Sequence, residues 1–491
     1  MVEFADMSFN SLEFFIFFPT VVALFFLIPS RFQWVFLLLA SCVFYMAFIP
    51  QYLFVLFATI TVDYVAALFI EKAQGKLRTF YLGISIFFTC LILFLFKYYN
   101  FFNANLIYLA EKMHWNYQPW LLKLILPIGL SFHTFQSLSY VFEVYRGGQV
   151  ERHFGIYSLY VMFFPQLVAG PIERPYHLIH QFHEKKEFDS VRVVSGLRLM
   201  LWGFFKKIVI ADQATLFVNT VFNHPAQYQG ISLVVTTFFF SVQIYCDFSG
   251  YSDIAIGAAQ ILGFDLMKNF NRPYFSKSVV EFWRRWHISL TTWFRDYLYI
   301  PLGGNRVPML RQYVNLLVVF LISGLWHGAQ WTFVIWGFVH SVFYIATLTA
   351  QKIFGTIRIP TGLKIGSTFI LTSAAWVLFR ANNISDAQMI YEHLGTGWKD
   401  FFSNLFGHIH QLGSGNRILG DLFLDQPVST FLCLIAAILV LVFIEICEER
   451  SLTILNGPKS NARFRWAVYY GLTFWILLTV TPASQFIYFQ F

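Results

Sequence analysis

Long apolar runs separated by short polar loops dominate this 491-residue sequence. Each run is close to the roughly 20 residues that an α-helix needs to cross a bilayer. The pattern therefore predicts an all-α, polytopic membrane protein with about 11–12 transmembrane helices in a single domain, residues 1–491. The runs lie at about residues 11–29, 33–49, 52–70, 79–97, 119–140, 192–222, 230–262, 313–325, 330–350, 365–380, 429–446 and 465–482.

Basic residues in the short loops predict the orientation of these helices. Lys76 and Arg78 follow the third run, and Arg146 and Arg152 follow the fifth. Loops rich in Lys and Arg stay in the cytoplasm, so both loops are predicted to be cytoplasmic and the N-terminus to lie outside. The first run, Phe14–Ile28, follows acidic residues instead of a basic segment, and we expect it to be a retained span.

Composition supports a membrane protein and argues against a nucleic-acid-binding one. Hydrophobic residues make up 57% of the chain and charged residues only 12%, which is about half the charged fraction of typical soluble domains. The formal net charge of +8 comes from the basic loops, so it indicates orientation in a lipid bilayer. The five cysteines are scattered and form neither a CxxC motif nor a disulfide framework.

One histidine in an apolar stretch is the strongest candidate for chemistry. His327 lies in ISGLWHGAQWTFVIWG, residues 322–337, with Trp326 and Trp331 nearby. An ionisable side chain within a membrane span is costly unless it faces the protein interior or water, so it is a functional candidate. The alternative is a core histidine that hydrogen-bonds a neighbouring carbonyl and has no further role.

A basic, tryptophan-rich segment precedes this stretch. Glu281–Gly304 has the spacing of an amphipathic helix lying at the membrane interface, with Trp283 on its apolar face and His287 within it. Its arginines contact lipid phosphates in one interpretation and hold the phosphates of a nucleotide-bearing acyl donor, such as coenzyme A, in the other. These arginines are Arg284, Arg285 and Arg295.

Polar residues also interrupt the span at 230–262. Gln243, Tyr245 and Asp247 either line a route through the protein and orient His327, or form hydrogen bonds between helices. Buried carboxylates demand partners, and we expect Asp247 and Asp253 to pair with an arginine such as Arg380.

Two further segments carry chemistry-bearing or unusual residues. His177, His180 and His183 lie in HLIHQFH, but the set of metal ligands around them is incomplete, so a solvated loop is favoured and no metal is expected. Tyr157–Ala169 is too short to span the bilayer and contains Pro165, which predicts a re-entrant or interfacial piece.

The motifs RRWHISLTTWFRDYLYIPLGGNR and SGLWHGAQWTFVIWG resemble the paired signature of the membrane-bound O-acyltransferase (MBOAT) family. The resemblance extends to Leu126–Gly147, Phe163–Arg174 and Gln243–Gly257, and is closest to the bacterial branch that includes the alginate O-acetylation membrane subunit. It implies a ring of tilted helices around a central tunnel. His327 would be the catalytic histidine and His287 its partner, and the imidazole of His327 would serve as a base or as a covalent acyl carrier.

The resemblance also implies the reaction and the partners. Acetyl would come from a cytoplasmic thioester, acetyl-CoA, which is a substrate, and no tightly bound cofactor is expected. The acceptor would be an extracytoplasmic partner of the SGNH type with a Ser-His-Asp site, within a polysaccharide synthesis and export assembly at the bacterial inner membrane. Trp326 and Trp331 would shape the tunnel, and alginate is the expected polymer.

Several alternatives remain open from the sequence. Within the family they are acetylation of peptidoglycan or cellulose, and D-alanylation of teichoic acid from a carrier-protein thioester. Outside it, a transporter or channel would use buried His and Asp residues as an ion path, and a scaffold would only anchor the exporting assembly.

Overall fold

The structure is a computed structural model that describes residues 7–168, 170–355, 359–407, 422–424, 426–450, 462–480 and 486. All regular secondary structure in these ranges is helical, which confirms the all-α, polytopic class. The α-helices are α1 Leu12–Leu27, α2 Gln33–Met46, α3 Tyr52–Lys72, α4 Gly75–Leu93, α5 Tyr99–Lys112, α6 Leu130–Tyr145, α7 Phe154–Met162, α8 Phe164–Leu167, α9 Pro175–Leu178, α10 Ser190–Phe204, α11 Gln213–Phe222, α12 Ile231–Leu262, α13 Val279–Arg285, α14 Ile288–Phe294, α15 Met309–His327, α16 Trp331–Phe354, α17 Thr361–Arg380, α18 Ile384–His393, α19 Trp398–Gly407, α20 Val428–Glu449 and α21 Ala462–Thr479.

Three segments in the described part of the chain are π-helical. Phe94–Tyr98 joins α4 to α5, Phe205–Asp212 joins α10 to α11, and Arg295–Tyr299 extends α14. Such wide turns are rare and occur frequently at functional sites.

Seven of the described helical stretches are long and apolar enough to cross a membrane, and two apolar helices near the N-terminus are shorter. By length and apolarity, fewer helices qualify as membrane spans than the predicted 11–12. Two of the other predicted spans differ for visible reasons: α6 has only 16 residues, and the α10–α11 stretch carries Lys206 and Lys207.

Glycines let α10 and α12 pack with their backbones in close contact. A Cβ added at Gly203 would lie 2.6 Å from the carbonyl oxygen of Gly250, and one added at Gly196 would lie 2.6 Å from that of Gly257. Small residues at such spacing allow membrane helices to approach closely. Most of α12 is buried, so it forms the centre around which the other helices pack.

Glycines also bring the backbones of α15 and α16 into close contact next to His327. A Cβ at Gly324 would lie 2.3 Å from the carbonyl oxygen of Phe333, and one at Gly337 would lie 2.2 Å from that of Phe320. The hairpin is therefore as tight as two helices permit.

The predicted fifth span, at 119–140, is wrong in its bounds. Residues 115–127 are irregular, and the helix begins only at Leu130. Pro127 cannot continue a hydrogen-bonded helical turn. Gly129 adopts φ 76°, and a Cβ added there would lie 2.6 Å from the carbonyl oxygen of Leu167.

The predicted interfacial helix at Glu281–Gly304 is also wrong. It is broken at Trp286 and His287 into α13 and α14, and Trp283, Trp286 and Trp293 are buried inside the protein instead of lying on a membrane surface. The backbone of residues 269–271 runs beside the break: the amide of Ile288 donates to the carbonyl of Asn269 at 2.8 Å.

The predicted re-entrant piece at Tyr157–Ala169 forms the short helices α7 and α8, whose side chains are buried almost throughout. Ala169 itself lies outside the described residues. The piece ends within the protein because α7 has nine residues, well below the length of a span.

We predict that Gly203→Ala destabilises the protein and that Gly83→Ala does not. The new methyl group at position 203 would overlap the backbone of α12, whereas no atom lies within 4 Å of a Cβ at position 83, on the exposed side of α4. Alanine is the better helix former by about 1 kcal/mol, which favours both substitutions equally. Thermal unfolding in detergent checks this; equal midpoints for the two variants would contradict the close packing.

Candidate active site

His327 is the last residue of α15 and is 3% exposed. Its ring lies against Trp336 and Phe379, with ring centroids 5.2 and 5.3 Å away and planes near perpendicular. The chain turns immediately afterwards at Gly328, where a Cβ would collide with the ring of Phe333 at 2.2 Å. The imidazole is therefore held in an aromatic cage at the end of a membrane helix.

His287 occupies the break between α13 and α14. Its φ of 41° lies in the left-handed region, which costs free energy in a non-glycine residue and is found preferentially at functional sites. The side chain is 1% exposed, and Phe248 packs edge-on against it at 4.5 Å. Within the described part of the chain, neither ring nitrogen of His287 has a hydrogen-bond partner.

The two histidines, 40 positions apart in sequence, face each other. Their ring centroids are 6.5 Å apart, and Trp326 lies beside both, 6.3 Å from His287 and 4.9 Å from His327. Buried polar groups without partners are rare in folded proteins and call for an explanation. Two adjacent imidazoles in dry surroundings are suited to accept and donate protons.

A first cavity of about 360 Å³, here termed the histidine cavity, opens directly beside His327. Its wall includes Trp326, Phe132 and Gln330, and the segment 125–131 completes it. Lys97 contributes a basic side chain to the lining.

A second cavity of about 730 Å³, here termed the arginine cavity, lies against α13, α14 and α15. Trp283, Arg284 and Arg295 line it, and their predicted role in binding the donor stays a prediction. Ser323 also lines it and lies one helical turn before His327, and Ile288 follows His287 in the chain. His327 therefore lines the histidine cavity, and residues that adjoin both histidines line the arginine cavity.

Other predicted site residues lie apart from the cavities. The guanidinium of Arg285 pairs with Glu281 at 2.8 Å and with Glu449 at 3.1 Å, so its charge is neutralised. Trp331 is half exposed, and its indole N–H donates to Asn105 at 2.8 Å. It belongs to neither cavity lining.

The three polar residues predicted on α12 bond to other helices. Gln243 donates to the hydroxyl of Thr215 at 2.8 Å, and the Tyr245 hydroxyl donates to Glu445. They join α12 to its neighbours, and the tunnel-lining role assigned to them stays a prediction.

Asp247 and Asp253 pair with lysines, so the predicted pairing with Arg380 is wrong. Lys207 lies 2.7 Å from Asp247 and Lys206 lies 2.6 Å from Asp253. The π-helical segment brings both lysines to face α12. Arg380 instead donates to Asn219 at 2.7 Å and to other amide oxygens.

Each histidine in HLIHQFH has its own partner. His177 donates to Glu173 at 2.7 Å, which raises the pKa of His177, and His183 donates to Glu151 at 2.7 Å. His180 donates to the carbonyl of Tyr176. The side chains diverge, and no three metal-ligating residues in the described ranges converge on one point.

Sequence reasoning missed two residues near the site. Lys97, at the end of a predicted span, lies beside His327; a charged residue in an apolar run was the signal that could have identified it. His340 on α16 is fully buried and accepts the indole N–H of Trp283 at 3.3 Å. It thereby supports a wall of the arginine cavity.

Comparison with known proteins places both histidines in a recognised region. Residues 152–379 match the model of MBOAT, the membrane-bound O-acyltransferase family. The "Probable alginate O-acetylase AlgI" of Pseudomonas aeruginosa is 39% identical over 383 residues, covering 77% of this chain and 72% of the relative. The protein of the same name from Azotobacter vinelandii is 39% identical over 385 residues, covering 77% and 75%. The "Peptidoglycan O-acetyltransferase" of Helicobacter pylori is 38% identical over 385 residues, covering 72% and 71%.

Proposed function

Because this chain belongs to the membrane-bound O-acyltransferase family and is an acyltransferase, we propose that it carries acetyl from cytoplasmic acetyl-CoA across the bacterial inner membrane for O-acetylation of alginate. The observation that carries this proposal is that His287 and His327 lie 6.5 Å apart, with His327 lining one cavity and residues that adjoin both histidines lining a second, arginine-lined one. A reaction that starts on one side of a membrane and ends on the other needs such an arrangement.

The arginine cavity is the donor side of the proposal. Arg284 and Arg295 lie in the basic segment that the positive-inside pattern assigns to the cytoplasm. Guanidinium groups match phosphate geometry, and coenzyme A carries phosphates at the end remote from its thioester. Arg284 forms no ion pair with any described residue, so it is available to a phosphate. Arg295 pairs through its Nε with Asp296 at 2.7 Å, and within the described residues its two terminal nitrogens remain for a phosphate.

The histidine cavity is the acceptor side. A hydroxyl entering it meets the imidazole of His327, which takes the hydroxyl proton while the oxygen attacks the thioester carbonyl carbon. The C–O bond forms, the C–S bond breaks, and the proton passes from the imidazole to the departing thiolate. Products are an acetyl ester and the free thiol of coenzyme A.

His287 supports this step from the donor side. Its strained backbone fixes the ring at the centre of the protein, and both nitrogens are free of bonds to described residues. A neutral imidazole at that point can bond to the thioester or to the leaving sulphur while Phe248 and Trp326 exclude water.

The acceptor is proposed to be an extracytoplasmic partner of the SGNH type, whose Ser-His-Asp site passes acetyl to the polymer within the polysaccharide assembly. Similarity to two proteins named as alginate O-acetylases supports alginate. Peptidoglycan is the second candidate, because the Helicobacter relative named for it is 38% identical.

We expect His327→Ala to lower acyl transfer by roughly 10²–10⁴-fold, the usual contribution of a positioned acid or base. Purified protein with radiolabelled acetyl-CoA and a small hydroxyl acceptor measures this, and complemented cells show which polymer loses its acetyl groups. His180→Ala, on an exposed loop, is the control. Undiminished transfer by His327→Ala would exclude the proposed role, and loss of acetyl from peptidoglycan alone would replace alginate.

A separate prediction concerns the arginine cavity. Arg284→Gln and Arg295→Gln should each raise the KM for acetyl-CoA roughly tenfold, the value of one charge-assisted hydrogen bond. The KM for acetyl-pantetheine, which lacks the nucleotide phosphates, should not change. Arg31→Gln, an exposed arginine remote from the cavity, is the matched control. Equal effects on both donors would show that the arginines do not bind phosphate.

A further inference from the structure

We propose that Lys97 is a positioning residue for His327, holding the end of α15 in the geometry required for transfer. The inference rests on the proposed function and adds a residue to it. Lys97 lies in the π-helical segment Phe94–Tyr98, far from His327 in sequence and adjacent to it in space.

The ammonium group of Lys97 bonds the backbone of the catalytic segment. Its Nζ donates to the carbonyl oxygen of Trp326 at 2.7 Å and to that of His327 at 3.0 Å. It also lies 5.9 Å from the ring centre of Trp326. One lysine thus contacts two residues in the wall of the histidine cavity, Trp326 and His327.

The end of a membrane helix explains why a lysine is suited to this place. The last four carbonyls of an α-helix have no partner within the helix, and they form the negative end of its dipole. At the end of α15 the amide of Gly328 reaches the carbonyl of Gly324 at 3.3 Å, and the chain then turns away. The ammonium satisfies the last two carbonyls of the helix, those of Trp326 and His327, and opposes the dipole with a positive charge.

Lysines near membranes commonly extend toward the lipid headgroups, with only the aliphatic stem in apolar surroundings. Lys97 does the opposite, because its charged end points into the protein and lines the cavity beside His327. Bringing an ammonium group into a membrane interior is costly unless it has partners and a role there. Nothing in that cavity neutralises it by an ion pair within the described ranges.

The wide turn that contains Lys97 aims the side chain. A π-helical segment inserts one extra residue per turn and rotates the following side chains relative to an α-helix. Here it carries Lys97 from the lipid-facing α4 toward α15. Misplacing a catalytic group by about 1 Å can cost roughly a hundredfold in rate, so a small movement of the end of α15 would be felt in turnover.

Three substitutions separate the ammonium bonds from other effects. Lys97→Met keeps the length and apolar stem but removes charge and donors, Lys97→Arg keeps both, and Lys97→Gln keeps donors without charge. Lys112→Met, an exposed lysine at the end of α5, is the control. Each variant is assayed for label transfer from acetyl-CoA, with the unfolding midpoint in detergent measured alongside.

We expect Lys97→Met to lower kcat at least roughly tenfold while the KM for acetyl-CoA stays within about twofold, because the donor cavity is untouched. Lys97→Arg should keep most of the wild-type kcat, and Lys112→Met should match the wild type. The kcat of Lys97→Gln should lie between those of Lys97→Met and Lys97→Arg, and Lys97→Gln replaces the Met variant if that variant does not fold.

Three results would overturn the inference. The first is wild-type turnover in Lys97→Met, and the second is a loss that appears in KM and not in kcat. The third is an equal loss in Lys97→Met and Lys97→Arg, because that would indicate a general packing defect instead of the loss of a cation. Failure of the proposed function is a separate outcome, because then the wild type itself would show no transfer that depends on His327.

Discussion

A polar group that leaves water for the interior of a membrane protein must find its partner within the protein, because lipid offers none. This constraint accounts for the central packing of the molecule. Lys207 lies between Asp212 and Asp247, at 2.8 and 2.7 Å, and Lys206 pairs with Asp253. These pairs bind the π-helical segment to α12, and the glycine contacts of α10 bring the two backbones close enough for the pairs to form. Removing one partner would leave a buried charge without compensation.

The same constraint identifies the site, because His287 departs from it. Asp63 on α3 shows the usual case, a buried group with its partners in place: it accepts hydroxyl bonds from Ser85, Thr89 and Ser137 at 2.5 to 3.0 Å. His287 has neither nitrogen bonded within the described residues, and it sits on a strained backbone. A buried group that is kept without a bond on a strained backbone, next to His327, is available to a substrate, and this is why the chemistry is assigned there.

Much of the architecture could be predicted from sequence, because apolar length and basic loops act locally. Most helix bounds follow from that pattern, and so does the choice of His327 as a candidate, whose catalytic role stays a prediction. The break at His287 could not be predicted: the tryptophans on both sides have helical spacing, and residues 269–271 hold the break from outside the segment. The ion pair of Arg285 could not be predicted either, since its partner Glu449 lies 164 positions away. Lys97 stands out in the sequence as a charged residue in an apolar run, but its partners could not be predicted, because they are backbone carbonyls on α15, which no side-chain pattern reveals.

The most direct test of the central claim is an experimental structure of the protein in lipid nanodiscs with a non-hydrolysable analogue of acetyl-CoA. The account predicts that the nucleotide phosphates bind beside Arg284 and Arg295 and that the acyl end reaches the space between His287 and His327. An analogue bound elsewhere, or bound in the arginine cavity with its acyl end pointing away from both histidines, would contradict the account.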